Sequence, residues 1–291
     1  MTRERVYDCF CYFNEDMLLE LRLKTLWDVV DIFVIVEANY TQSGLPKPLN
    51  FSHAKFERYL NKIRYLTSTD CPGGTGNPWL NENHQRNEIS RGLMDAAPTD
   101  KIIISDLDEI PRPESIPLYD SRYLRGDFQQ QYYSYFLNNL LVEPSRDVVW
   151  RGSKITLKKY FDNFFDGKAN SVRSYKATGS LRSLKRTWFR WFQTHQIPNG
   201  GWHFTWVMSY TDVLKKMDAM AHRENDRPEW RSEGYIQSVM LQGRDIVRPD
   251  RRYRAVAIDG SFPLPLQSDA DHYRGYLCSS HRDTAHPPKV I

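Results

Sequence analysis

Two aspartates spaced by one residue, Asp106 and Asp108, with Glu109 beside them, are the residues of this chain whose types and spacing point most directly to chemistry. They stand in Ile102-Ile103-Ile104-Ser105-Asp106-Leu107-Asp108-Glu109-Ile110-Pro111, so an apolar strand delivers two carboxylates to its own end. Three acids in four positions repel one another unless something cationic neutralises them. Carboxylate oxygens suit Mg²⁺ or Mn²⁺, and a protein that gives one or two of them leaves the other coordination positions to water and phosphate oxygens. Such an ion offsets the charge that builds on a departing diphosphate, which is Lewis-acid chemistry at a leaving group. Acids after a strand also fit a solvated turn, or the two-metal chemistry of a phosphohydrolase or nuclease. The latter brings further clustered His and Asp ligands, which are not evident in the sequence.

A second cluster, Gly200-Gly201-Trp202-His203-Phe204-Thr205-Trp206, combines a flexible backbone, an imidazole and two indoles. Indole faces stack on the C–H faces of pyranose rings, and His203 suits a metal shell or a phosphate. The same residues fit a hydrophobic core, or a carbohydrate-binding module without catalysis that uses Trp202 and Trp206 as its platform. Glu82 and Arg86, one helical turn apart, read as an ion pair, with Arg86 equally suited to a phosphate.

The elements that must position these residues follow from periodicity. Val6 to Phe13 reads as a strand, Asn14-Glu15-Asp16 as helix-starting chemistry, and Leu18 to Val30 as a helix. Ile32 to Val36 is a wholly apolar run that fits a strand covered on both faces. A helix over His53 to Leu60, a strand over Ile63 to Leu66, a helix over Asn81 to Ala96 and a strand over Lys101 to Ser105 continue the alternation. That alternation predicts a parallel α/β sheet with right-handed crossovers, whose ligands belong at the carboxyl ends of the strands. Beyond Pro113 the pattern is aromatic and strand-like, with strands in Phe128 to Leu141 and Val148 to Leu157. Thr211 is expected to cap a helix over Asp212 to His222, and Ser232 one that buries Ile236, Val239 and Met240 and stops at Gly243.

No linker or repeat divides the 291 residues, so one globular domain is expected, with a poorly ordered tail over residues 279–291. A net charge of +4 is too weak to argue nucleic-acid or membrane binding. The basic bias between Arg151 and Arg190 suits a solvated face, or a diphosphate donor or acidic acceptor. The four cysteines form no zinc pattern, and their spacing suggests a reducing compartment. With no apolar run of signal-peptide or membrane-span length, the expected location is cytoplasmic and no membrane-spanning segment is expected.

Several ordered blocks together resemble glycosyltransferase family 17. Asn14-Glu15 with Leu19 and Arg22, then Asp28 to Asp31 leading to Glu37, Thr41, Gly44 and Pro46-Lys47-Pro48-Leu49, are similar to its N-terminal block. Glu82 and Arg86, the acidic motif Asp106 to Pro111, and Gly201-Trp202-His203 with Trp206 and Lys216 resemble the later ones. The resemblance implies a GT-A-type, Rossmann-like α/β fold with a mixed, mostly parallel sheet and a C-terminal helical extension. Residues 1–113 would then form the nucleotide-sugar-binding half and residues 114–278 the acceptor-binding half.

It also implies a UDP-sugar donor, UDP-N-acetylglucosamine by analogy, Mn²⁺ or Mg²⁺ dependence, a carbohydrate acceptor, inversion at the anomeric carbon and no nucleic acid. Carried over, Asp106 and Asp108 hold the metal, with His203 as a possible third ligand. Asn14, Glu15 and Glu37 lie near the nucleoside, and Arg86 near the phosphates, with Glu82 and Lys216 completing the donor set. Trp202, His203 and Trp206 line the sugar and acceptor. Apart from the resemblance, an in-line displacement needs a carboxylate base, for which Glu109 beside the metal site and Glu233 at the start of a late helix are the two candidates. The family's animal members carry an N-terminal membrane anchor absent from this sequence, so a bacterial or viral surface glycan is as suitable an acceptor as an N-glycan.

Overall fold

The computed structural model describes residues 3–144, 148–175, 181–219, 230 and 232–278. The proposed tail therefore lies outside the described residues. In chain order come β1 (Val6–Tyr12), α1 (Asp16–Leu26), β2 (Ile32–Ala38), β3 (Ile63–Ser68), α2 (Pro78–Asn87), β4 (Lys101–Asp106) and β5 (Glu109–Pro111). Next are β6 (Arg125–Ser134), β7 (Asn139–Glu143), β8 (Val149–Trp150), β9 (Lys154–Leu157), α3 (Lys158–Asn163), α4 (Ala169–Arg173), α5 (Arg182–Phe192) and β10 (Thr194–Thr205). The remainder is α6 (Tyr210–Ala219), α7 (Glu233–Leu241), β11 (Arg252–Ala255) and α8 (Leu264–Ser268).

These elements form two compact units, Met1–Gln130 with Arg151–Gly201, and Gln131–Trp150 with Trp202–Ile291. In the first, β3, β2, β1 and β4 are parallel neighbours in that order. Beyond β4 the sheet turns antiparallel, with β9 against β4 and the first half of β6 against β9. The parallel block is therefore four strands wide, and it is the part that the alternating pattern foretold. Val34, Val36, Ile102 and Ile104 join Tyr7 and Cys9 in a core closed by Ile89, Leu93 and, from the later segment, Phe161, Phe165 and Val172. Such runs are wholly apolar because both faces of the sheet are covered.

Helix α1 matches the leucine pattern, with Leu18, Leu19, Leu21, Leu23 and Leu26 all buried. Elsewhere local chemistry moved the boundaries. The segment expected to be helical over 53–60 is a 3₁₀ helix, Glu57–Lys62. The helix expected from Asn81 begins at Pro78, because the Asn77 side chain accepts from the Leu80 N–H and Pro78 fits the first turn; a 3₁₀ stretch, Glu88–Leu93, finishes it. Helices α3, α4 and α5 were not expected.

The second unit pairs the end of β6 with β7 and β7 with β11, all antiparallel. Its core gathers Tyr135, Leu141, Val213, Tyr253 and the three α7 residues expected from the sequence, Ile236, Val239 and Met240. Ser232 caps α7 through the Tyr235 N–H, as expected. Helix α6 is instead capped by Ser209, whose hydroxyl accepts from the Asp212 N–H at 3.2 Å, so Thr211 lies inside the helix. Residues 220–222 of the expected helix lie outside the described residues.

Candidate active site

Strand β4 is held by buried Ile102, Ile103 and Ile104 and ends at Asp106, whose side chain is 40% exposed. The turn back into β5 is built around two charges hidden beneath it. Asp8 on β1 and Arg22 on α1 are both fully buried, and Arg22 donates to the two Asp8 oxygens at 2.6 and 2.7 Å. The remaining arm of Arg22, Nη1, donates to the carbonyls of Asp106, Leu107 and Glu109 at 3.1, 3.1 and 2.7 Å. One guanidinium thus ties the strand and helix to the whole acidic turn, which a point-charge ammonium has too few directed donors to do.

Above the turn, two further arginines meet the carboxylates. Arg173, at the end of α4, donates to Asp106 Oδ2 at 2.5 Å, to both Glu109 oxygens at 2.5 and 2.6 Å, and to the Gly152 carbonyl. Arg86 on α2 bridges Asp106 Oδ1 at 3.1 Å and Glu82 at 2.7 Å, and also donates to Asn170. Burial works against charge on both guanidiniums, but the facing carboxylates, Asp106 first in each case, outweigh it and raise both pKa values. Asp108 is half-buried, and its charge acts on Arg173 as well. Asp106 is therefore a partly open carboxylate between two arginines whose planar donors match phosphate oxygens as well as carboxylates.

Three neighbours set this arrangement. Arg125 donates to the Val172 carbonyl at 2.7 Å, fixing the end of α4 next to Arg173, and pairs with Asp127, which also meets Lys154 at 3.0 Å. Glu109 has no exposed surface and accepts the Asp106 N–H as well as Arg173. Gly200 and Gly201 let β10 close on β6 and β5. At Gly201, φ is +133° and a Cβ would come within 2.1 Å of the Ile110 carbonyl oxygen, so the glycine pair serves close packing rather than flexibility.

The other expected residues fall as follows. Asn14 is exposed, and Glu15 stands at the N-cap of α1 with its carboxylate accepting the Asn14 N–H at 3.1 Å. Glu37 is fully buried, and its carboxylate accepts from Lys47, Tyr65 and the N–H groups of Asn50 and Phe51, so it organises the loop after β2. In the second unit, Trp202 is 2% exposed and its indole donates to the Ser261 carbonyl. Of the two readings of this indole, the core one matches its burial. His203 is buried, stacked on Trp150 at 4.6 Å and edge-on to Tyr132 at 4.7 Å, while Trp206 is half-buried with Lys216 Nζ 5.7 Å from its ring. Glu233 is exposed in the first turn of α7. Among the described residues no three of His, Cys, Asp and Glu gather as a ready ligand set.

Sequence reasoning missed the role of Arg173, seen only as one member of a basic run, and of Asp8. Arg22 entered only as a block residue. A charge in the apolar face of a helix and another inside an apolar strand was the available signal.

A parallel α/β block with acids at a strand's carboxyl end fits a Rossmann-like fold. Residues 1–138 match the family model for Glycosyltransferase family 17. A β-1,4-mannosyl-glycoprotein 4-β-N-acetylglucosaminyltransferase of Rattus norvegicus is 27% identical over 263 residues, covering 82% of this chain and 48% of its own. Its Homo sapiens counterpart is 26% identical with the same coverage. The chain thus spans about half the length of the curated relatives it matches. Among solved structures, the inositol-1-phosphate CTP transferase from T. maritima aligns over 68% of this chain and 86% of its own, at 10% identity and a TM-score of 0.36, too low to carry an argument. The resemblance to glycosyltransferase family 17 read from the sequence is borne out.

Proposed function

We propose that the chain transfers a sugar, N-acetylglucosamine by relationship, from a UDP-sugar to a glycan hydroxyl with inversion, on a GT-A-type fold and with a divalent cation. The observation that carries this reading is Asp106, partly exposed at the end of β4 and flanked by Arg86 and Arg173. Two carboxylates one residue apart suit Mg²⁺ or Mn²⁺, which takes one or two protein carboxylates and fills its shell with phosphate oxygens. Asp106, giving up part of its pairing with Arg86 and Arg173, and Asp108 would hold it, and the ion would supply charge neutralisation at the leaving diphosphate.

The chain's own residues do the rest. Arg86 and Arg173 exchange part of their carboxylate pairing for diphosphate oxygens and orient the leaving group. Arg22 keeps the turn rigid beneath them. The acceptor hydroxyl needs a carboxylate to take its proton. Glu109 has both oxygens engaged by Arg173 and no exposed surface, so its part is to hold Arg173.

The reading is tested by following UDP release from UDP-sugars with Mn²⁺ and oligosaccharide acceptors. Acceptor-dependent release is expected, falling by roughly 10²-fold or more in Asp106→Ala and in Arg173→Met. Release unchanged by either substitution and by chelator would remove the site from the reaction.

A further inference from the structure

Helix α5 has no place in the site described above. Only Phe189 of its residues is buried, stacked on Tyr175 at 4.1 Å and on Phe164 at 5.7 Å, with the Arg125 guanidinium 4.9 Å from its ring. Leu184, Trp188, Trp191 and Phe192, with Leu181 at the N-cap, lie 47–71% exposed. At 3.6 residues per turn these five side chains form one stripe about 100° wide, well to the side of Phe189. Arg182, Lys185, Arg186 and Arg190 are also exposed, Lys185 beside the stripe and the three arginines on the polar face round from it, and no acid occurs between Leu181 and Gln193. A net charge of +4 for the chain conceals this local concentration.

We propose that α5 is a docking surface for an anionic lipid bilayer, seated in the plane of the headgroup region with its indoles at the acyl boundary. Charge selects the occupant. A second copy packed stripe to stripe would bring four more cations and no acid, whereas anionic headgroups supply the counter-charge the helix lacks. Tryptophan beside arginine is the composition of helices that lie at such interfaces. The orientation is in-plane because eleven residues span only about 16 Å, against roughly 30 Å of hydrocarbon. No described helix is long and apolar enough to cross a membrane.

The test is flotation of the full chain with vesicles of phosphatidylcholine, with and without phosphatidylserine. Binding is expected only to the anionic vesicles. It should weaken as salt screens the headgroups, and fall roughly tenfold or more in Trp188→Ser/Trp191→Ser and in Arg186→Gln/Arg190→Gln. Because all four side chains are exposed, both variants should keep the parent melting temperature. Equal binding to neutral vesicles, no binding to anionic ones, or binding that survives the Trp substitutions would overturn the proposal. So would a dimer in sedimentation, or glycan binding, that the Trp variant abolishes while the parent ignores vesicles.

Discussion

At the scale of single residues, the fork of Arg22 does two things at once. It neutralises Asp8 in the interior and collects three carbonyls of the turn that carries Asp106. Arg22→Met leaves Asp8 charged and buried, and removing one member of such a pair costs about 3–5 kcal/mol, readable as a lower urea midpoint. The double variant Asp8→Leu/Arg22→Met removes both charges and should recover much of that loss. It should not recover UDP release, because the turn has still lost its clamp. Full recovery of both would show that Arg22 acts only through stability.

Strand pairing sets the next scale. Asp127 on β6 stands opposite Lys154 on β9, with Arg125 completing the cluster. Burial, only partly offset by Asp127, pushes the Lys154 ammonium down to about 8 from an ordinary value of 10.5. Below pH 8 both folded and unfolded chains hold the proton, and the folded state carries the full cost of the buried charge. Between about 8 and 10.5 the folded chain gives up its proton while the unfolded chain keeps it, so this group makes stability rise with pH. Lys154→Met should flatten that segment of the stability profile in denaturant titrations, and parallel profiles for the two proteins would refute the assignment.

Elements show where the sequence was readable. The apolar runs of β2 and β4, the α1 leucines and the Ser232 cap are local signals, and each appears in the structure. The start of α2 depended on cap chemistry that the apolar period does not encode. The site divides in the same way. Asp106 at a strand end is visible from one window, whereas Arg173 reaches it from 67 positions downstream, a meeting that only the antiparallel β9 and the short α4 arrange. Trp202 stayed open between two readings because an indole with a carbonyl partner inside a core looks, in sequence, like one meant for sugar.

For the whole molecule, the chain passes between its two units three times, after residues 130, 150 and 201. The part that matches the family model, residues 1–138, therefore lacks β9, α3, α4, α5 and β10. Phe161, Phe165, Val172 and Phe189 would be missing from the first core, and β4 would lose its antiparallel neighbour. A fragment of residues 1–138 is expected to melt without a cooperative transition and to be digested rapidly by protease, and a sharp melt would contradict this.

The interleaving has a practical corollary for anyone dividing the gene. The stretch that matches the family model and the stretch that completes the first core are different lengths of chain. A breakpoint chosen by similarity leaves an unpaired strand edge in water, an invitation to aggregate, and leaves Asp106 with one of its two arginines.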